Sequence, residues 1–154
     1  MATELDRIRR QIEKTFDKQP WYGTSMKGIL KEIDPDIVHR KVGPHSIIML
    51  LLHMIAWRRY ATKRLLGDDG FKVTDEMNFP EPAPTRENWT KALKDLDVSQ
   101  KELLVALDTF KVDRLDELVP AASHKYTWYT LLHGIIQHDV YHLGQIALAK
   151  KALQ

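Results

Sequence analysis

Residues 133–145 read HGIIQHDVYHLGQ and contain three of the seven histidines of this 154-residue chain. They lie within a longer, mainly apolar segment, from about Thr127 to Leu153, whose periodicity indicates a helix. A helix that packs against a core presents apolar side chains inward, because a buried polar side chain is unfavourable without a partner. The density of imidazoles in this segment therefore suggests a role beyond packing.

A helical projection divides these histidines into two groups. At about 100° per residue, His142 lies about 40° from His138, whereas His133 lies near 220°, on the opposite side. Gln145 lies about 20° from His138. The same face carries the small or apolar residues Leu131, Ile135 and Ala149. We therefore predict that His138 and His142 point together into the core and that His133 does not.

Two imidazoles at positions i and i+4 of one helical face can bind a single cation. A tight site needs a third ligand from another helix, and His53, in the apolar stretch MLLLHMIAW, is the best candidate. His45 lies about 80° from His53 at the start of the same helix and is a poorer one. The alternative is that these histidines are hydrogen-bonded core residues, and the spacing alone does not decide between the two.

Four long amphipathic segments account for most of the chain. The first ends near Pro20, the second runs from an N-cap at Ser46 to about Leu66, the third begins after Thr85, and the fourth is the histidine-rich one. The predicted core stripes of the first and third are Leu5, Ile8, Ile12, Phe16, Trp89, Leu93, Leu96, Leu103, Leu107 and Phe110. This pattern predicts an all-α four-helix bundle formed by a single domain, residues 1–154.

The segment between the second and third helices reads GDDGFKVTDEMNFPEPAPT, residues 67–85. It holds three prolines and five acidic residues against one lysine, and we predict a long loop. We interpret it as a solvated connection in preference to a lid over a ligand.

Composition narrows the range of functions. The chain has no cysteine, so disulfides, thiolate ligands and cysteine nucleophiles are excluded. Its net charge of +2 comes from scattered basic residues and does not indicate nucleic acid or an anionic membrane as a partner. The N-terminus lacks the apolar region of a signal peptide, and no apolar run approaches the ~20 residues that span a bilayer. We expect a cytoplasmic protein.

Two stretches carry a family resemblance. GPHSIIMLLLHMIAWRRYATKRLLG, residues 43–67, and YTWYTLLHGIIQHDVYHLGQIALAKKAL, residues 126–153, together resemble the DinB/YfiT-like superfamily. The resemblance covers nearly the whole chain and implies a four-helix-bundle metalloenzyme with one histidine ligand on the second helix and two on the last. At the matching positions these are His53, His138 and His142. The family also implies zinc or nickel, a homodimer, and transferase or isomerase reactions with low-molecular-weight thiols.

Three imidazole ligands leave a cation an open position, as in catalytic sites. Such a cation can lower the pKa of a bound water toward ~7 or bind a substrate thiol. We therefore expect a metal-dependent hydrolase or a thiol-dependent transferase that acts on a small-molecule substrate, and keep as the alternative a non-catalytic metal-binding or stress-response bundle.

Two further residues are candidates for a catalytic role. Asp139 occupies the position that glutamate holds in H-E-x-x-H, where it serves as a general base. It points about 100° from His138, so a supporting or surface role is favoured over catalysis. Gln145 faces the predicted site and is placed to orient a ligand or a water molecule.

Overall fold

The computed structural model describes all 154 residues and confirms an all-α bundle. The four long helices are α1 (Glu4–Asp17), α3 (Ile47–Leu65), α5 (Arg86–Thr109) and α6 (Trp128–Leu153). Two short helices, α2 (Met26–Leu30) and α4 (Asp75–Asn78), a hairpin of β1 (Lys41–Val42) and β2 (His45–Ser46), and a 3-10 turn at Val112–Arg114 complete the fold. None of the helices is both long and apolar enough to cross a lipid bilayer.

The predicted helix boundaries are confirmed by their caps. The side-chain oxygens of Ser46, Thr85 and Thr127 each accept a hydrogen bond from the backbone N–H three residues later, at the starts of α3, α5 and α6. Helix α3 ends before Gly67, whose φ of 85° is a left-handed conformation that glycine adopts without strain. Local sequence therefore sets where each long helix begins.

The bundle is formed by the packing of α3 chiefly on α5 and α6, with α1 on the same two helices. Helices α1 and α3 thus lie at opposite corners. Two apolar clusters fill the interior, one around the N-terminal half of α3 and the other around its C-terminal half. All of the predicted stripe residues pack in these clusters, with Leu5 and Leu93 only partly buried.

A buried polar layer separates the two clusters. Arg58 of α3 donates to the carboxylate of Asp139 on α6 and to the side-chain oxygen of Gln100 on α5. Arg58 and Asp139 are each at least 98% buried, and the guanidinium lies 5.5 Å from the ring centroid of Phe16 on α1. The layer therefore joins all four long helices at one level. A surface position for Asp139, one of the roles favoured from sequence, is wrong.

Candidate metal centre

Three histidines converge beside this polar layer. His53 comes from α3, His138 and His142 from α6, and one ring nitrogen of each lies within 4.8 Å of those of the other two. The Nε2 atoms of His53 and His138 are 3.0 Å apart, and His53 and His142 are buried. The group is the one that helical spacing predicted, and it is compatible with a metal site.

Two of the three imidazoles are fixed in the tautomer that a metal ligand needs. Nδ1 of His53 donates to the backbone carbonyl of Asn78 at 2.6 Å, and Nδ1 of His142 donates to Oε1 of Gln145 at 2.6 Å. Because both acceptors are oxygens without a proton to give, the proton of each neutral ring is on Nδ1. Each Nε2 is therefore unprotonated and can accept a hydrogen bond or bind a cation, the arrangement seen when a carbonyl orients a metal-binding histidine.

His138 differs from the other two. Its Nδ1 is buried and has no hydrogen-bond partner, and its Nε2 faces the Nε2 of His53. The Nε2 of His53 is an acceptor, so this contact needs either a proton on Nε2 of His138 or a cation to which both nitrogens bind. The set of donors thus fits a divalent ion, with His138 the ligand least constrained by the protein.

Burial keeps the three rings neutral. It lowers the pKa of His53, His138 and His142, and for His138 the pKa falls to about 3, with the neighbouring His142 and His53 adding to the effect of burial. Neutral imidazoles are the form that binds metal. The group is therefore ready to bind a cation at neutral pH without first losing protons.

The segment between α3 and α5 covers the histidines. The ring of Phe79 stacks between His45 and His53, with centroid distances of 4.0 and 3.9 Å. The side-chain oxygen of Asn78 accepts from Nε1 of Trp57 at 3.2 Å, while its backbone carbonyl binds His53. The interpretation of residues 67–85 as a solvated connection is therefore wrong where α4 ends. The local pattern MNFP does not predict a role for Asn78 and Phe79, because they contact residues of α3 that lie far from their own segment in the sequence.

The remaining candidates occupy different places. Gln145 faces the site as predicted, through its bond to His142. His45 lies behind Phe79 and is not among the three converging histidines. Asp139 directs its carboxylate to Arg58. His133 packs on Tyr129, 4.3 Å between ring centroids, and lies 3.8 Å from Glu4, apart from the group.

An apolar cavity of about 240 Å³ opens beside His138. Its lining residues are Trp57, Tyr60, Tyr126, Thr130, Leu131, Gly134, Ile135 and His138. The hydroxyls of Tyr60 and Tyr126 are 2.7 Å apart on its wall, and burial together with this bond raises the pKa of Tyr126. The phenol of Tyr126 therefore keeps its proton at neutral pH. We refer to this space as the inner cavity.

Comparison with known proteins identifies one family. The sequence model of the DinB superfamily matches residues 5–146, which include all four long helices in whole or in large part and all three converging histidines. No curated protein and no solved structure matches the chain.

Proposed function

The chain belongs to the DinB superfamily, and we propose that it binds one divalent metal ion, zinc or nickel, through His53, His138 and His142 and uses it as an enzyme acting on a small molecule. The observation that carries the proposal is the fixed tautomer of His53 and His142, whose Nδ1 atoms are both engaged by oxygen acceptors. These two bonds leave both Nε2 atoms unprotonated in a group whose ring nitrogens lie within 4.8 Å of one another, which is the form that a metal ligand takes.

Each part of the site then has a separate task. When bound, the ion supplies a positive charge that lowers the pKa of a thiol or a water molecule beside it. Asn78 and Gln145 hold two of the imidazoles in place, and Phe79 keeps bulk water from the face of His53. The inner cavity accepts the apolar part of a substrate, and the paired phenols offer a proton donor on its wall.

Among the reactions expected from sequence, transfer to or from a low-molecular-weight thiol is the one we propose. A hydrolase of the H-E-x-x-H kind uses a carboxylate beside the metal to activate water. Here the corresponding carboxylate, Asp139, is fully buried and bound to Arg58. A thiol whose pKa is lowered at the site needs no such base, and the inner cavity is mainly apolar.

The test is a comparison of metal-free protein with protein reconstituted with zinc or nickel. Each form is assayed with a panel of low-molecular-weight thiols and electrophilic acceptors and, in parallel, with ester and amide substrates. We expect thiol consumption that depends on the metal and is lost in His142→Ala but kept in His133→Ala. Metal-dependent hydrolysis without thiol transfer would replace the proposed reaction class, and stoichiometric metal without either activity would favour the non-catalytic alternative.

We also propose a homodimer. The outer face of α6 forms one side of a groove of about 410 Å³ with Tyr22 and Ile29, and Trp21 next to it is fully exposed. Exposed apolar surface of this kind is typical of protein interfaces. Sedimentation equilibrium is expected to give twice the chain mass of 17.9 kDa, and a monomer at micromolar concentration would contradict the proposal.

A further inference from the structure

A second cavity adjoins the inner one. It has a volume of about 460 Å³ and shares Trp57, Tyr60 and Tyr126 with the inner cavity. Its other lining residues are Arg64, Lys72, Val73, Ala121, Ser123 and His124. We call it the outer cavity. The three shared aromatic residues line both spaces, and only the inner one reaches His138.

The charged side chains that line the outer cavity, Arg64 and Lys72, are both basic, and no carboxylate lines it. His124 lines it as well. Lys72 is exposed and forms no ion pair, although its own segment is rich in acidic residues. The nearest carboxylate to the guanidinium of Arg64 is that of Asp69, whose Oδ1 lies 3.9 Å from Nη1 and which does not line the cavity. The outer cavity therefore lacks an internal counter-charge for Lys72.

Arg64 lies at the base of the outer cavity. It is 2% exposed, and its two terminal nitrogens donate to backbone carbonyls on both walls. These acceptors are Asp69 and Phe71 on one wall and Pro120 and Ala121 on the other. Its Nε is buried without a partner. Neutral carbonyls satisfy N–H groups without cancelling the charge, and the half-exposed Asp69 carboxylate at 3.9 Å offsets that charge only in part, so the base of the cavity stays positive.

On the wall formed by Pro120 and Ala121, the backbone that contacts Arg64 has an unusual conformation. Ala121 has a φ of 50°, a left-handed conformation that is unfavourable for a residue with a side chain. Its carbonyl oxygen lies 3.5 Å from Nη2 of Arg64. Strained residues persist where surrounding contacts hold them, and they concentrate at ligand sites. The strain here lies at the rim of the basic cavity.

We propose that the outer cavity binds a carboxylate group of the substrate, while the reacting end of the same molecule lies in the inner cavity beside His138. This inference rests on the proposed function and names its substrate class: a small thiol or electrophile with an apolar centre and an acidic end. The centre lies against Trp57, Tyr60 and Tyr126. A carboxylate fits better than a doubly charged phosphate, because Lys72 is the one freely available ammonium and Arg64 is engaged by carbonyls.

The experiment compares two probes that differ only at the end remote from sulfur, mercaptohexanoate and mercaptohexanol. Binding is measured on the full chain loaded with cobalt(II), from the thiolate-to-cobalt absorption band, and on the metal-free chain, from the NMR resonance of the Trp57 indole N–H. We expect the carboxylate to bind about fivefold more tightly than the alcohol, the effect of one partly exposed ion pair. Lys72→Gln is expected to remove that preference.

The matched control is Lys94→Gln on α5, which removes the same charge from an exposed lysine that has no ion pair and does not line either cavity. It is expected to keep the preference. Equal affinity for the two probes, or a preference that Lys72→Gln leaves intact, would overturn the inference even if both probes bind cobalt. A carboxylate preference at Trp57 without any cobalt band would support the outer cavity and contradict the proposed metal chemistry. The two failures are thus distinguishable.

Discussion

Nδ1 of His53 lies 2.6 Å from the backbone carbonyl oxygen of Asn78. The segment that covers the three histidines therefore also fixes the tautomer of one of them. A single chain segment thus controls both access to the group and the direction of a lone pair within it. This coupling leads to specific expectations for the residues around the histidines.

Gln145 is expected to tune metal affinity through His142. Gln145→Leu removes the acceptor of the His142 Nδ1–H and should weaken zinc binding by about 10- to 100-fold, the usual effect of losing such a partner. The measurement is competition against a chromophoric chelator. Gln137→Leu, at an exposed position of the same helix, is the control and should bind as the wild type does. Equal affinity of the two variants would mean that Gln145 does not support a ligand.

Phe79 is expected to hold the cover in place. Phe79→Ala removes the ring stacked on both His45 and His53 and should expose His53 to solvent. It also removes stacking that contributes about 0.5–1.5 kcal/mol, so the covering segment should be held less firmly. We expect faster hydrogen exchange of the amides of α4 and release of zinc to chelator at a higher rate. Met77→Ala, in α4 but half-exposed, should change neither. A rate of release equal to that of the wild type would show that Phe79 does not limit access.

The helices and the histidine group were accessible from sequence, whereas the cover and the polar layer were not. Caps, a glycine stop and helical periodicity are local, and an i,i+4 pair shares a face whatever the rest of the chain does. Asn78 and Phe79 reach His53 only because an irregular segment folds back over α3, and no periodicity encodes that path. Arg58 reads locally as an ordinary surface arginine in WRRY, and only the packed bundle shows that it is 1% exposed.

The Arg58–Asp139 pair is expected to be structural. Asp139→Ala leaves a buried guanidinium without its carboxylate and should lower the free energy of unfolding by on the order of 3–5 kcal/mol. Arg58→Met combined with Asp139→Leu removes both charges and should be much less destabilising. Urea denaturation of the metal-free proteins measures both. If Asp139→Asn abolished activity while leaving stability and metal content unchanged, the general-base role would be restored.

The free energy of unfolding of the metal-free protein is expected to decrease as the pH is lowered, because of His138. Its pKa in the folded state is about 3, below the ~6.5 of an unfolded chain, so the unfolded state binds more protons between these values. The contribution of the neutral His138 to the free energy of unfolding is fully present above about pH 6.5 and is lost progressively toward pH 3. Burial raises the pKa of Asp139, which acts in the opposite direction, so the comparison must isolate His138.

The comparison is with His138→Gln, which cannot titrate. The free energy of unfolding in urea, measured from pH 7 to pH 4, should fall less steeply in the variant than in the wild type. Parallel curves for the two proteins would show that His138 is not buried in its neutral form.

The central claim is that His53, His138 and His142 bind one divalent ion, and metal content tests it most directly. The wild-type protein is stripped with chelator, incubated with zinc and dialysed. It should then contain one zinc per chain by inductively coupled plasma mass spectrometry, and His133→Ala should contain the same amount. His53→Ala and His142→Ala should each fall well below one when they remain folded by circular dichroism. Zinc content that is absent from the wild type, or equal in all four folded proteins, would contradict the claim.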